Sequence, residues 1–464
     1  MRVGILTEYP SPSVQSGPAL HTRFLFERLT ARGHDVTMMG PDTGDEVPVD
    51  VPAQLYPARP YPTHPKVKIP LPGKFKDMWN APDVELIHSQ TNTHMVHYVT
   101  WMRKMRRVAL LNTHTVHLPT HSHFVLSDRL YQRPFVREAM RRWAEKLEFS
   151  YARTYNAGDA LIVQSRHFVD YWRDRGVTVP IEIVGRPIDP AKFSRPSGTD
   201  PYPHGFARGS RLVCVCRHDR EKNLEALLHY FDEHIAPNHS KATLTLVGDG
   251  HDHINLVHLA DTLEARDRIH FPGEVAHGNL VDWYRHADLF VYTSVSETFG
   301  NVVNEALWCG IPVVALNDNM GVAHQIEDGA NGFIVEPATS ETGFRFGARV
   351  IELLNNESLR HWMSKQAENR CRQISHPDNV VARFESIYEN AKLHCRESIE
   401  SPLVEQAVWK QKLALRRHLA AWSWYHHLLL KVAGGFNTFG GGRPLTPALP
   451  RNSQNTTQVA NSNR

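Results

Sequence analysis

Two glutamates on one short stretch of the chain have the type and spacing that a sugar-binding site requires. Glu297 precedes a predicted helix and Glu305 lies about two turns inside it, so at about 3.6 residues per turn both can face one crevice. Between them, Phe299, Gly300 and Asn301 offer backbone N–H groups at a helix start, where the helix dipole favours an anion. Because a carboxylate accepts hydrogen bonds without donating any, each glutamate suits a pair of vicinal hydroxyls. These residues predict a site for a nucleotide sugar.

The residues around this pair predict the elements that position it. Leu289 to Tyr292 and Val313 to Leu316 are apolar runs of strand length. Asn301 to Cys309 between them has helical spacing, with Thr298 as the predicted N-cap. A strand–helix–strand unit implies a parallel sheet covered on both faces. In such sheets a ligand binds beyond the carboxyl ends of the strands, where this turn lies.

The motif as a whole resembles a known family. The string Ser-x-x-Glu-Thr-Phe-Gly, the Glu-x7-Glu pair and the following Gly-x-Pro-Val-Val run closely resemble the donor-site motif of glycosyltransferase family 4. That resemblance implies a retaining, metal-independent enzyme of the GT-B fold, an α/β architecture in which two doubly wound Rossmann-like domains face a cleft. A Glu-x7-Glu pair alone is weak, because helices commonly carry such pairs in solvent. The complete string in its strand–turn–helix context favours the functional interpretation.

Length, charge and cysteines bound the remaining possibilities. At 464 residues the chain predicts roughly three domains, or two with a tail. With 52 basic and 49 acidic residues, the net charge of +3 gives no reason to expect nucleic acid as a partner. The five cysteines lack a disulfide or zinc spacing and predict reduced core residues of a cytosolic protein. The start of the sequence lacks a signal-peptide pattern, and no apolar run is long enough to span a membrane.

In the N-terminal half, Val3 to Thr7 predicts a buried strand, and a helix is predicted to open at Ser16-Gly17. Gly17 resembles the family's glycine-rich loop, with Ser16 where a second glycine is usual; a plain helix-entry turn is the alternative. Further on, Asn112-Thr113-His114-Thr115 ends a predicted strand and resembles a His-Thr segment of lipid-directed members. By that resemblance His114 is the N-terminal active-site candidate. A zinc site at the neighbouring histidines is disfavoured, since they lack a Cys or acidic partner at suitable spacing.

In the C-terminal half, a predicted strand ends at Cys216 and precedes Arg217 and Lys222. This segment resembles the family's Gly-Arg-x4-Lys, with Cys216 in place of glycine, so Arg217 and Lys222 stand where the family clamps the donor diphosphate. A guanidinium fork and an ammonium suit two adjacent phosphates; the alternative is an ordinary charged turn. Phe271 to Val275 resembles the segment whose backbone contacts the nucleobase, which makes Val275 a donor-binding candidate.

The expected domain organisation follows from these matches and from composition. Residues 210–376 hold the donor-binding domain and residues 377–395 a helix that crosses back. The Pro-rich residues 47–73 predict a long loop. Residues 128–157 and 409–431 are basic with interleaved aromatics, which predicts either ordinary solvated or packed helices or an anionic membrane surface. The other expected segments are residues 1–193 as an acceptor-binding domain, 194–209 as a linker, and 396–464 as a basic aromatic segment with a disordered tail.

The resulting expectation is a retaining hexosyltransferase that needs no cofactor or metal. Lys222, Arg217 and the helix start would stabilise the leaving diphosphate of a UDP- or GDP-linked sugar. Glu305 would hold the ribose, Glu297 the transferred sugar, and His114 would orient the sugar or acceptor. A membrane lipid or a saccharide is the expected acceptor, in the cytoplasm or peripherally on the inner membrane face. A sugar-nucleotide epimerase or phosphorylase, or a non-catalytic protein of the same fold, are the alternatives.

Overall fold

Two parallel β-sheets flanked by helices make up the chain in the computed structural model. One sheet has seven strands and the other six, and an antiparallel pair, β4 with β5, lies apart from both. This confirms the predicted α/β architecture of two doubly wound units. The structure describes residues 1–8, 17–42, 51–60, 68–70, 79, 81–91, 95–115, 117, 133–195, 198–337, 340–399, 407–417 and 420.

The first sheet is formed by the N-terminal half of the chain. Its strand order is β3-β2-β1-β6-β7-β8-β9. Strands β6, β7 and β8 are fully buried, as is β1 after the exposed Arg2, which explains the apolar runs in the sequence. The strands are β1 Arg2–Leu6, β2 Asp35–Pro41, β3 Ala53–Tyr56, β4 Ala58–Pro60, β5 Lys68–Pro70, β6 Leu86–Ser89, β7 Ala109–Thr113, β8 Ala160–Val163 and β9 Ile181–Ile183. The helices are α1 Gly17–Ala31, α2 Met95–Arg106, α3 Pro134–Tyr155, α4 Arg166–Asp174 and α5 Pro190–Phe193.

The second sheet follows in the C-terminal half. Its order is β12-β11-β10-β13-β14-β15, with a core of apolar residues from both faces. The strands are β10 Arg211–Val215, β11 Thr243–Val247, β12 Ile269–Gly273, β13 Leu289–Tyr292, β14 Val313–Leu316 and β15 Gly332–Val335. The helices are α6 Leu224–Tyr230, α7 His253–Ala260, α8 Leu280–Arg285, α9 Asn301–Trp308, α10 Gly321–Gln325, α11 Thr342–Asn355, α12 Glu357–Ser375 and α13 Pro377–Ser398.

Helix α13 returns to the first sheet, as predicted. Val380, Phe384 and Tyr388 on one face of this helix are buried in the same cluster as Val3 and Ile5 of β1. The burial of these large apolar side chains in one core removes apolar surface from water and stabilises the return. The last helix of the second unit is therefore part of the core of the first.

The structure differs from the sequence-based expectation in the predicted loop, residues 47–73, and adds core contacts to the predicted linker, residues 194–209. The prediction of one long loop over residues 47–73 is wrong in part, because β3, β4 and β5 lie within it and β3 pairs in parallel with β2. Residues 43–50, 61–67 and 71–78 lie outside the described residues. The segment predicted as a linker, 194–209, packs Tyr202 and Phe206 into the core of the second sheet.

A further helical stretch covers residues 408–417. Its Leu415 is buried in the cluster around Trp101 and Met102 of α2, while Trp409 and Leu413 are exposed. Over this stretch the chain forms a helix that packs on the core through Leu415, which is one of the two predicted alternatives, and it leaves a second, apolar face open. Most of the predicted 409–431 segment lies outside the described residues. No helix among the residues described is both long and apolar enough to cross a membrane.

Candidate active site

The point where the strand order of the second sheet reverses brings two predicted segments together. Strand β10 lies between β11 and β13. From β10 the chain continues to β11 and β12 on one side of the sheet, and it then crosses to β13, β14 and β15 on the other side. The turn that carries Arg217 and Lys222 follows β10, and the turn that carries Glu297 follows β13. Because both strands are parallel, the two turns leave the same edge of the sheet, which is where such folds bind ligands.

Helix α9 begins at Asn301, and the local sequence at its start differs from the expectation. Gly300 is the N-cap with φ of +82°, so the prediction of Thr298 as N-cap is wrong. Glycine reaches this left-handed conformation without steric cost, whereas threonine would be strained there. Gln325 of α10 fixes the turn by donating to the backbone oxygens of Phe299 and, at 3.3 Å, of Gly300. The first N–H groups of α9 have no intrahelical acceptor and face outward from a fixed turn.

Lys222 and Glu297 form a largely buried ion pair, in which the two side chains are 11% and 16% exposed. Lys222 Nζ lies 2.5 Å from Glu297 Oε1, which also accepts from the hydroxyls of Tyr292 at 2.6 Å and Ser294 at 3.2 Å. Burial alone would raise the pKa of Glu297, but Lys222 and the two hydroxyls outweigh it and hold that pKa below its ordinary value. Burial alone would lower the pKa of Lys222, and the attraction of Glu297 raises it instead. Both groups are therefore charged near neutral pH.

Glu305 is held by two donors that the sequence did not reveal. His277 Nε2 lies 2.9 Å from Glu305 Oε1, and the Tyr284 hydroxyl donates to Oε2 at 2.9 Å. Burial and the adjacent carboxylate raise the pKa of Tyr284 well above its ordinary value, so the hydroxyl keeps its proton. Glu305 is only 6% exposed, and each of its oxygens keeps lone pairs beyond these bonds. Val275, the predicted nucleobase contact, lies two residues before His277.

Arg217 is arranged differently from Lys222. Its side chain is 59% exposed and pairs with Asp219 and, at 3.2 Å, with Glu221. The structure therefore brings Lys222 against Glu297 but turns Arg217 toward its own loop. For Arg217 to reach a phosphate beside Lys222, its side chain must leave these two carboxylates, which are themselves only 11% and 13% exposed.

Gly17, at the start of α1, lies directly across from the start of α9. A Cβ atom at Gly17 would lie 2.8 Å from Asn301 Nδ2 and 3.3 Å from Arg186 Nη1. A side chain at position 17 would therefore require the Asn301 side chain to move, and glycine leaves Asn301 where it is. The N-terminal candidate and the helix start of the second unit thus face each other across the boundary between the sheets.

Arg186 and Asn304 are further polar residues at this boundary, and the sequence interpretation did not select them. Arg186 is only 9% exposed, and Asn304 Nδ2 donates to its backbone oxygen at 3.0 Å. Asn304 Oδ1 in turn accepts from Ser375 Oγ at 2.8 Å, so Asn304 ties α9 both to the end of α12 and to the segment between β9 and α5. The signal available in the sequence was a single cation, Arg186, within the otherwise apolar run of residues 184–188.

His114 is buried in an aromatic cluster. Its ring packs against Phe168 at 4.7 Å and Trp172 at 5.1 Å, and its backbone N–H donates to Ile162 O at 2.9 Å. Met320, just before α10, packs against the same cluster. The assignment of His114 to the sugar or the acceptor stays a prediction. The described residues contain no group of three or more His, Cys, Asp or Glu arranged to hold a metal; His121 and His123 lie outside them.

Two family models match the two halves of the chain. The model described as Glycosyltransferase Family 4 matches residues 16–192, and the model described as Glycosyl transferases group 1 matches residues 206–370. Two doubly wound sheets with a returning C-terminal helix define the GT-B class of glycosyltransferases. The chain belongs to glycosyltransferase family 4 and is an enzyme of the transferase class.

Curated relatives and solved structures are similar to the chain. α-Monoglucosyldiacylglycerol synthase of Streptococcus pneumoniae is 26% identical over 68% of this chain and 71% of its own length. N-acetyl-α-D-glucosaminyl L-malate synthase of Bacillus anthracis is 30% identical, over 32% of this chain and 37% of its own length. The Anabaena protein HepE in complex with UDP has a TM-score of 0.62 at 18% identity, covering 84% of this chain and 100% of HepE. At that identity the structural likeness shows the GT-B fold alone.

Proposed function

We propose that the protein transfers a hexose from a UDP- or GDP-linked sugar to an acceptor hydroxyl with retention of the anomeric configuration. The single observation that carries this proposal is the placement of two carboxylates around one helix start. Glu297 is paired with Lys222 and Glu305 with His277, on either side of the turn that opens α9. One anion-binding helix start between two diol acceptors suits a sugar, a diphosphate and a ribose in line.

In this proposal each residue acts at one part of the donor. Glu305 accepts from the ribose hydroxyls and Val275 lies beside the base. The N–H groups of Phe299, Gly300 and Asn301 take the diphosphate together with Lys222 and Arg217, with no metal or cofactor. Glu297 accepts from hydroxyls of the transferred sugar, and Gly17 lets the two units approach closely enough to exclude water.

The proposed reaction exchanges one carbon–oxygen bond for another and transfers one proton. The bond between the anomeric carbon and the distal phosphate oxygen breaks, while the bond from that carbon to the acceptor oxygen forms on the same face. The leaving phosphate accepts the proton of the acceptor hydroxyl. Lys222 and the start of α9 stabilise the charge that develops on the phosphate, and His114 orients the sugar or acceptor from the N-terminal unit.

We propose a membrane lipid as the acceptor, from the name of the pneumococcal relative and from the surface of the N-terminal unit. Helix α3 exposes Phe135 by 69% and Phe149 by 54% among several arginines. Arg141 pairs with Glu138 and Glu145, which reduces the positive charge of this face but leaves the aromatics open. Exposed aromatics among basic residues suit peripheral binding to an anionic membrane. The proposed acceptor-binding domain is residues 1–193, joined by 194–209 to a donor domain of 210–376.

The first test is thermal unfolding of the purified chain in EDTA with UDP, GDP, ADP and their glucose or mannose conjugates. One nucleotide is expected to raise the unfolding midpoint selectively, since a ligand at 100 times its Kd adds ~2.7 kcal/mol. The matched variants are Glu305→Gln at the site and Glu352→Gln on the outer helix α11. If no nucleotide stabilises the folded protein, or if both variants behave alike, the proposed donor site is wrong.

The acceptor is tested with the stabilising sugar nucleotide. Transfer is measured to diacylglycerol in vesicles of phosphatidylglycerol or phosphatidylcholine, and to soluble saccharides. The proposal expects lipid product, more on phosphatidylglycerol, and loss of vesicle binding in Phe135→Ser with Phe149→Ser. Phe344→Ser is the control, since Phe344 is 65% exposed on α11 of the other unit. Transfer to saccharide alone would make the saccharide the acceptor.

A further inference from the structure

Arg186 is a buried cation with no ion-pair partner among the residues that the structure describes. Among the described residues its Nε and Nη1 atoms are buried and have no hydrogen-bond acceptor. The backbone oxygen of Arg186 accepts a hydrogen bond from Asn304 Nδ2 of α9, and this bond holds the backbone at the position from which the side chain extends. Buried guanidinium groups are almost always paired, because removing the charge from water without a partner is costly.

The surroundings of Arg186 place its guanidinium at the boundary between the two units. Nη1 lies 3.3 Å from where a Cβ of Gly17 would stand, and Asn301 Nδ2 lies beside the same point. The neighbouring His21, which is partly buried, carries a pKa well below its ordinary value because of desolvation and the positive charge of Arg186. Burial lowers the pKa of Arg186 itself to about 10, with Glu297 acting in the opposite direction. The group therefore remains charged at neutral pH.

The charges at this point do not balance. Lys222 is already neutralised by Glu297, so the second cation, Arg186, has a single carboxylate nearby that is shared with Lys222. The start of α9 adds the positive end of a helix dipole on the same side. This set of groups lacks an anion, and an anion with more than one charge suits it.

We propose that Arg186 binds the sugar-linked phosphate of the donor and stays with that phosphate when it leaves. This inference rests on the proposed function and extends it by a residue of the segment between the two units. The carboxylate that acts on Arg186 is Glu297, at the proposed sugar end, and the guanidinium lies beside Asn301 at the start of α9. The planar guanidinium can donate two parallel hydrogen bonds to one phosphate, which a lysine cannot.

The experiment compares Arg186→Met and Arg186→Lys with the wild-type protein. Isothermal titration measures Kd for UDP, GDP and ADP and for the corresponding monophosphates. Arg186→Met is expected to weaken diphosphate binding by about 10- to 100-fold and monophosphate binding by less than about threefold. Arg186→Lys keeps the charge without the fork and should fall between. Without ligand, the unfolding midpoint of Arg186→Met should be unchanged or higher, because an unpaired buried charge is gone.

A matched arginine separates ligand binding from a purely structural role. Arg173 Nη1 donates to the backbone oxygens of Val177 and Val179, so Arg173→Met should lower the midpoint and leave the nucleotide affinities unchanged. The proposal is overturned if Arg186→Met behaves like Arg173→Met, or if it weakens mono- and diphosphates equally. A wild-type protein that binds no nucleoside diphosphate overturns the proposed function itself, and this inference with it.

Discussion

Substituting Glu297 by Gln should separate donor binding from transfer. Glu297 holds Lys222 at 2.5 Å, so in the free protein the ammonium that is to meet the diphosphate is engaged by a carboxylate. Glu297→Gln releases Lys222 and removes a negative charge from the phosphate site. Nucleoside diphosphate affinity should therefore stay within about threefold of wild type or increase, while transfer falls by at least about 100-fold because the sugar loses its acceptor of hydrogen bonds.

Lys222→Met should act in the opposite way on binding. A hydrogen bond to a charged group contributes about 1.5–3 kcal/mol, so losing it should weaken diphosphate binding by about 10- to 150-fold. Both single variants leave one buried charge unpaired, and each should lower the free energy of unfolding by about 3–5 kcal/mol. The double variant Lys222→Met with Glu297→Gln leaves neither charge, so its loss should be well below the sum of the two.

Titration calorimetry with UDP and GDP, release of nucleotide from the sugar donor and denaturant unfolding measure these three effects. The control pair is Arg349 and Glu352, 2.8 Å apart and half-exposed on α11, for which the coupling should be below about 1 kcal/mol. If Glu297→Gln weakens diphosphate binding as much as Lys222→Met does, Glu297 does not compete with the ligand for Lys222. If the double variant loses the full sum, the two residues are not coupled.

Three other predictions follow from the geometry. Glu305→Gln should weaken ribonucleoside diphosphates about five- to tenfold and abolish the preference over 2′-deoxy analogues, measured as Kd, because the amide is a weaker acceptor. Gly17→Ala should lower the transfer rate by at least about tenfold, since its Cβ would stand 2.8 Å from Asn301; Gly205→Ala, with open space around it, should not. The pKa of Glu297 is lowered on folding, so its stabilisation is present above about pH 4.5 and is lost as pH falls through the folded pKa. Acid unfolding of Glu297→Gln should therefore start from a lower stability and decline less below pH 4.5 than wild type. Unchanged deoxy discrimination, full activity of Gly17→Ala, or parallel acid curves would contradict the respective prediction.

The parts of the fold that the sequence predicted are those with local causes. Buried parallel strands need continuous apolar runs, so β10, β13 and β14 could be recognised from their own residues. The N-cap of α9 was misplaced by two residues, at Thr298 instead of Gly300, because the usual preference for threonine as N-cap was outweighed by tertiary contacts. Gln325, 25 residues away, holds the backbone of Gly300 in a conformation that glycine alone adopts easily.

The two glutamates of the site could be predicted from the sequence, whereas one of their partners, His277, could not. Glu297 and Glu305 lie in one helix-start motif, so their spacing is visible in the sequence. Their partners come from other elements: Lys222 is 75 residues away from Glu297, and His277 is 28 residues away from Glu305. A family motif pointed to Lys222, whereas nothing in the local pattern around His277 distinguishes it from the chain's other histidines.

The pairing of each carboxylate indicates how the free enzyme keeps its charges until substrate arrives. Glu305 is held by the His277 ring and the Tyr284 hydroxyl and by no lysine or arginine among the residues described, and it would accept ribose hydroxyls with its remaining lone pairs. Glu297 is satisfied by a full cation, so the arrival of a diphosphate redistributes Lys222 and strengthens the field at the bond to be broken. Because Arg186 has no carboxylate of its own among the residues described, its charge would be available to the proposed ligand from the start. Donor binding would then depend first on Arg186 and the start of α9, and catalysis on the release of Lys222.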